Sequence, residues 1–168
     1  MKKLLCLFLL IVSALSFAAG RVLRDKEAEF KDGVVYVKGE NKPYTGTLEG
    51  YNEKGILEGR REYKNGKSDG TSKFFYPNGK ILSEATFKDG IQVGVQKEYY
   101  EDGKIEAELP YKNDVIEGIM EEYYPNGKLK SNISMKNGKR DGLEKIYYEN
   151  GKLKYELNYK NYFVVTST

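Results

Sequence analysis

The sequence predicts an all-β protein, a single antiparallel sheet of tandem 24-residue β-hairpins, extended and twisted or curled. Three observations carry this prediction. Glycines recur at Gly46, Gly70, Gly94, Gly118 and Gly142, and again at Gly55, Gly79, Gly103, Gly127 and Gly151, each ladder with a period of 24 residues and no insertion. Self-similarity at a fixed period of this length marks an array of stacked units. Within the units, Asn78-Gly79, Asp102-Gly103, Asn126-Gly127 and Asn150-Gly151 separate two short strand-like segments. Such dipeptides accept the positive φ angles that a two-residue type I′ turn requires. The third observation is a charge pattern. Counting outward from a two-residue loop sets Glu49 opposite Arg60, Lys73 opposite Glu84, Lys97 opposite Glu108, Glu121 opposite Asn132 and Lys145 opposite Glu156. Four of these five pairs join opposite charges, with the signs exchanged in the first. A directly opposed ion pair contributes roughly 0.2–1 kcal/mol.

The register then sorts the side chains. Ile105, Ala107, Leu109 and Tyr111 alternate with Glu106, Glu108, Pro110 and Lys112, which predicts a half-buried sheet with one apolar face. Adjacent aromatics end the first strand of four units: Phe75-Tyr76, Tyr99-Tyr100, Tyr123-Tyr124 and Tyr147-Tyr148. In this register the second of each pair, such as Tyr124, falls opposite Leu129 on the apolar face, and the first falls on the charged face. A single sheet would expose far more apolar surface than the few hundred Å² of an ordinary monomer. It must curl on its own tyrosines and leucines, dimerise or hold a partner, and the twist of hairpin arrays favours curling.

Taken in order, the chain starts with residues 1–18, which read as a secretory signal peptide. Lys2-Lys3 precede an apolar run from Leu4 to Val12 that is too short to span a bilayer, and Ser16 and Ala18 give a small-x-small end with cleavage near Ala18. Residues 19–45 are out of phase with the repeat. They read as an N-terminal cap of two or three strands, built on Val34–Val37, while Arg21–Glu29 fits a short helix or a loose arm equally. Residues 46–161 hold the five units. The first is degenerate, with Lys54-Gly55 at the turn and Gly50 where the others carry a larger residue. Between units, segments such as Lys64-Asn65-Gly66-Lys67 read as longer loops, and Lys112-Asn113-Asp114, lacking glycine, must differ. Pro110 cannot donate to a ladder, so a bulge or a weak spot is expected there. Residues 162–168 are apolar and β-prone and read as a last edge strand.

Composition excludes several kinds of chemistry. With no histidine, and with the one cysteine, Cys6, inside the leader, the chain lacks triads, thiolate sites and the commonest metal ligand. Its acidic residues face lysines at repeat-equivalent places, as on a solvated face, so no enzyme, no cofactor and no metal site is expected. Removing Lys2 and Lys3 lowers the net charge from +3 to +1, which argues against nucleic acid as a partner. What remains is surface. Tyr51, Phe75, Tyr99, Tyr123 and Tyr147 occupy one slot on the charged face of successive hairpins. They form a candidate binding ladder for a protein or for sugar rings. Set against this, each ring can simply pack on the stems of neighbouring Lys and Glu.

Tyr123-Tyr124-Pro125-Asn126-Gly127-Lys128-Leu129-Lys130, followed by Met135 to Gly142, resembles the bacterial variant of the MORN repeat (membrane occupation and recognition nexus), as does the lead-in Pro43-Tyr44-Thr45-Gly46. The resemblance covers residues 43–161 and implies rods or curved sheets of hairpins with scaffolding or binding roles. It also implies kinship with chains labelled antitoxins of the YwqK type. The expected function is an exported, non-catalytic module for protein–protein interaction in the bacterial envelope or at the cell surface. Neutralisation of a toxin, or binding of a membrane surface or glycan, is the alternative.

Overall fold

The computed structural model describes residues 21–160 and 163–167. The segment expected to be a signal peptide, residues 1–18, lies outside the described residues. Fifteen strands hold 68% of the described residues: β1 (Arg21–Arg24), β2 (Ala28–Lys31), β3 (Val34–Val37), β4 (Gly46–Tyr51), β5 (Leu57–Lys64), β6 (Lys67–Phe75), β7 (Ile81–Lys88), β8 (Ile91–Tyr99), β9 (Ile105–Lys112), β10 (Val115–Ile116), β11 (Gly118–Tyr123), β12 (Leu129–Lys136), β13 (Lys139–Tyr147), β14 (Leu153–Lys160) and β15 (Phe163–Ser167). From β4 to β15 each strand pairs antiparallel with the next, and β10 is a short stub on β9. The resulting 13-stranded sheet is open, and it is not purely antiparallel, because β1 joins its first edge parallel to β4.

All five cross-strand pairs expected from the charge pattern are present, from Glu49↔Arg60 to Lys145↔Glu156. The turns that produce them are not the ones expected. Each Asn-Gly or Asp-Gly within a unit closes a three-residue loop. The Tyr76 N–H bonds the Lys80 carbonyl at 2.8 Å and the Gly79 N–H bonds the Tyr76 carbonyl at 2.8 Å. Only the glycine has a positive φ, 81° at Gly79. This is a type I turn followed by a left-handed residue. A three-residue loop displaces the register by one, and a bulge in the next strand, at Leu82 between Phe75↔Ile81 and Phe74↔Ser83, restores it. The same loop and bulge recur in each repeat. The bulge also corrects the placing of the tyrosines: Tyr123, not Tyr124, pairs with Leu129.

The two-residue turns lie between units, where longer loops were expected. Asn65-Gly66, Asp89-Gly90 and Asn137-Gly138 all have positive φ at both central residues, as a type I′ turn demands. Asn113-Asp114 does the same without glycine, at φ of 53° and 64°. Both residue types tolerate the left-handed region because their short polar side chains bond locally. Asp114 Oδ1 accepts the Gln92 N–H at 2.7 Å. The opening glycines mark a second bulge: between Arg61↔Ser72 and Tyr63↔Ser68 the strand carries extra residues, with Gly70 at φ 114° and the Glu62 carboxylate accepting the Thr71 N–H.

One face is not uniformly apolar. Ala107 and Ile133 are buried there, but so are Ser72 and Glu144 from first strands of hairpins and Ser131 from a second strand. Among the described residues the cluster of buried apolar side chains lies at the cap. Leu23, Ala28, Val35, Val37 and Tyr44 pack on Tyr63 and Leu48, where the β2–β3 hairpin closes over the first repeat. Arg21–Glu29, left open as helix or arm, forms β1, a 3-10 turn at Asp25–Glu27 and the start of β2. Pro110 sits in β9 opposite Val95, and its carbonyl accepts the Glu117 N–H where β10 breaks away from β11.

Candidate functional site

Across the charged face the pairings join into one continuous row: Glu49, Arg60, Lys73, Glu84, Lys97, Glu108, Glu121, Asn132, Lys145 and Glu156. Neighbouring strands lie ~4.8 Å apart, so long side chains bridge from one to the next. Ion pairs form at 2.6 Å for Arg60–Glu49, 3.5 Å for Lys73–Glu84, 3.3 Å for Lys97–Glu108 and 3.1 Å for Lys145–Glu156. Asn132 Nδ2 donates to Glu121 at 3.2 Å. Glu49 is buried, and the other partners are partly solvated and contribute little singly; opposite signs meet within hairpins, whereas like charges meet between hairpins at Arg60↔Lys73 and Glu108↔Glu121, so the pattern chiefly favours the register inside each hairpin.

The aromatic ladder runs beside this row. Tyr51, Phe75, Tyr99, Tyr123 and Tyr147 pair directly with Leu57, Ile81, Ile105, Leu129 and Leu153. The rings are half-buried, so the ladder is a stripe of alternating rings and aliphatic chains. Three of its four hydroxyls are engaged. Tyr51 donates to Glu49 at 2.6 Å, Tyr99 to Glu84 at 2.7 Å, and Tyr123 to Glu121 at 2.8 Å and Glu108 at 3.4 Å. Burial first, and the bond to Glu84 second, push the Tyr99 hydroxyl up to about 12. The same two causes raise Tyr123, with Glu121 as its main acceptor. In return the Tyr99 hydroxyl holds the Glu84 carboxyl below its ordinary value, as Tyr51 does for Glu49. Each donor lies fifteen residues after its acceptor in Tyr99→Glu84 and Tyr123→Glu108. At that offset from Phe75 stands Arg60, which has no oxygen to offer, and there the ring carries no hydroxyl. The offset was visible in the sequence and went unread.

The second aromatic of each pair has a different task. Tyr76, Tyr100 and Tyr124 donate to the backbone carbonyls of Tyr99, Tyr123 and Tyr147 at 2.7, 2.6 and 2.8 Å. They thereby fasten each hairpin to the next. Lys80, Lys104 and Lys128 reach the carbonyls of Asp102, Pro125 and Asn150 along the same edge.

The hairpin unit just described has a counterpart among known repeats. A model for the MORN repeat variant matches residues 68–89, 92–113, 116–137 and 140–161, together more than half of the chain. This chain belongs to the MORN repeat variant family. Each match begins just after a type I′ turn, and the first three end at the next one, so the family's unit is the hairpin together with its turn. Residues 46–67 fall outside the matched ranges although the first unit folds as the same hairpin. MORN repeats are in general non-catalytic modules for contact with proteins or membranes. Among curated proteins none matches the chain.

Opposite the ladder, along the type I′ edge, the sheet presents a feature that the sequence reading passed over. Val95, Ile119 and Leu143, each one residue after an opening glycine, are exposed, and so are Ile91 and Val115 directly across from Lys88 and Lys112.

Proposed function

We propose that the chain is an exported, non-catalytic scaffold that docks a protein partner on its charged face in the bacterial envelope or at the cell surface. The observation that carries this is the ten-member row, in register over every hairpin and flanked by the half-buried aromatic stripe. Interleaved charges supply specificity, and half-exposed rings supply apolar area with little entropy to lose. The basic start and short apolar run of residues 1–18 support export, and export disfavours neutralisation of a toxin inside the cell. The test is cross-linking in the native cell. Replacing Tyr99, Tyr123 and Tyr147 together by Ser is expected to lose the cross-linked partner while circular dichroism keeps its strand signal. Capture of the same partner by the triple variant overturns the reading, and finding processed chain in the cytosol moves the antitoxin alternative ahead.

A second reading, contact with an anionic membrane surface, is supported by the type I′ edge, where exposed Ile91, Val115 and Ile119 stand among Lys88, Lys112 and Lys136. Co-sedimentation with phosphatidylserine vesicles that disappears in Ile119→Ser with Val115→Ser would favour it. Equal sedimentation of variant and native chain would exclude that edge.

A further inference from the structure

The departures of the first repeat from the other four converge on one place. At the position of Gly50 the later units carry Phe74, Glu98, Glu122 and Ile146, and at that of Gly59 they carry Ser83, Ala107, Ser131 and Tyr155. Gly50 and Gly59 are direct cross-strand partners; the Phe74 ring lies over Gly59, 3.3 Å from where its Cβ would be, whereas a Cβ at Gly50 would meet nothing within 4 Å, so the gap on the face opposite the charged row opens over Gly50. Where the others have Ala85, Leu109, Ile133 and Leu157, the first unit has Arg61. Together with Tyr63, Phe74 and the 3-10 turn at Asp25, these residues line a cavity of about 340 Å³ between cap and array. That volume suits a small molecule.

The chemistry of the cavity is specific. Arg61 lies over the rings of Phe74 and Phe87, with its guanidinium carbon 6.0 and 5.3 Å from their centroids, and its Nε donates to Ser72 Oγ at 3.1 Å. Its two terminal nitrogens have no partner among the described residues. The fork is therefore held in place by stacking and one hydrogen bond while its outer donors stay available, which is the preparation a carboxylate needs. The neighbouring Arg60 is already neutralised by Glu49 at 2.6 Å. Asp25, at the rim, accepts its neighbour's N–H at 2.7 Å and disfavours a second negative charge on a ligand. Glu58 is a second carboxylate in the lining, and the two glycines, Leu48 and the rings of Tyr51, Tyr63 and Phe74 supply its apolar part.

We infer that this cavity binds a small monocarboxylate bearing an aromatic or branched apolar group, with Arg61 on the carboxylate and Phe74 and Tyr63 against the apolar part. Such a group belongs either to a free organic acid or to the last residue of a peptide. The cavity shares Tyr51 and Arg60 with the charged face, but its test reads small-acid binding through Arg61 and Gly50, so it stands or falls independently of the scaffold proposed above.

The experiment is titration of the full chain with phenylacetate, N-acetylphenylalanine and 2-phenylethanol, followed by NMR chemical shifts. Both acids are expected to saturate, and the alcohol to bind at least tenfold more weakly. Tighter binding of N-acetylphenylalanine would identify a peptide terminus, and tighter binding of phenylacetate a free acid. Two variants restore residues of the repeat itself. Arg61→Leu removes the fork and is expected to weaken both acids at least tenfold. Gly50→Ile fills the space, since a Cβ there meets nothing within 4 Å, and is expected to abolish binding with the thermal midpoint preserved. Absence of saturation by either acid, or native affinity in both variants, overturns the proposal.

Discussion

At one edge of the sheet the chain reverses through Asn65-Gly66, Asp89-Gly90, Asn113-Asp114 and Asn137-Gly138, and at the other through loops such as Tyr76–Lys80 and Tyr124–Lys128. Both edges must turn the chain and also attach each turn to the next. The type I′ edge does so with a backbone bond at each turn, the N–H groups of Gly90, Asp114 and Gly138 bonding the carbonyls of Ser68, Gln92 and Ile116 at 2.8, 3.1 and 3.0 Å, and with carboxylates, since Asp69, Asp114 and Glu117 accept the N–H groups of Asp89, Gln92 and Asn137. The three-residue loops do so with side chains, through the hydroxyls of Tyr76, Tyr100 and Tyr124 and the ammonium groups of Lys80, Lys104 and Lys128. One edge therefore combines a left-handed backbone and backbone bonds with carboxylate acceptors, whereas the other relies on side chains. Substitutions at the left-handed turn residues should hurt the first through strain, and substitutions of the tyrosines should hurt the second through lost partners.

The sharpest way to break the comparison is Gly66→Val. Gly66 has φ 78°, and a Cβ there would lie 2.2 Å from Val34 Cγ1 and 3.0 Å from the Val35 carbonyl oxygen. Strain in the left-handed region and overpacking each cost about 1–3 kcal/mol. Because the clash is with the cap, the loss should appear as detachment of the β2–β3 hairpin. Urea unfolding is expected to show a loss of about 3 kcal/mol or more, with Tyr44 and Tyr63 losing their buried environment first. Native stability in this variant would mean that the cap is not held by the turn.

An intermediate effect is expected at the other edge. Tyr124→Phe removes one hydroxyl bond to the Tyr147 carbonyl at 2.8 Å and leaves the ring in place. The expected loss is about 1 kcal/mol. Tyr148, the equivalent residue in the last unit, is half exposed and contacts Lys154 through its ring. Tyr148→Phe should change stability by less than about 0.5 kcal/mol. Equal losses in the two variants would show that the hydroxyl ladder contributes nothing to holding the repeats together.

These edges also explain how far the sequence could be read. Opposed charges such as Lys97 and Glu108 disclosed the register because cross-strand partners face one another whatever loop connects them. The loop type was misread because Asn-Gly occurs at both edges, and a three-residue loop plus a bulge yields the same distant pairs as a two-residue turn. Pro77 and Pro125 were the discriminating signal. Proline fixes φ near −65°, which suits the first central position of a type I turn, and without an N–H it cannot donate the closing bond required of the residue that precedes a two-residue turn. The parallel pairing of Arg21–Arg24 with β4 had no local signature, since its partner lies over twenty residues away. The cavity was half legible: Gly50 stood out as small, but only the fold brings it beside Gly59, Arg61 and Asp25.

The smallest expected effect tests the conformational edge where it lacks glycine. Asp114 holds φ 64°, so Asp114→Gly would relieve a left-handed residue at a gain of about 0.5–1 kcal/mol. The same change deletes the carboxylate that accepts the Gln92 N–H at 2.7 Å, a charge-assisted bond whose loss at an exposed site costs about 1 kcal/mol. The two contributions oppose each other, and the net change in unfolding free energy should stay within about 0.5 kcal/mol. Asp114→Asn separates them, because it keeps the left-handed tolerance and the acceptor oxygen but removes the charge. If Asp114→Gly proves strongly stabilising, the carboxylate contributes nothing and strain alone governs this edge. If it proves strongly destabilising, the carboxylate outweighs backbone conformation at this edge and the contrast between the two edges fails.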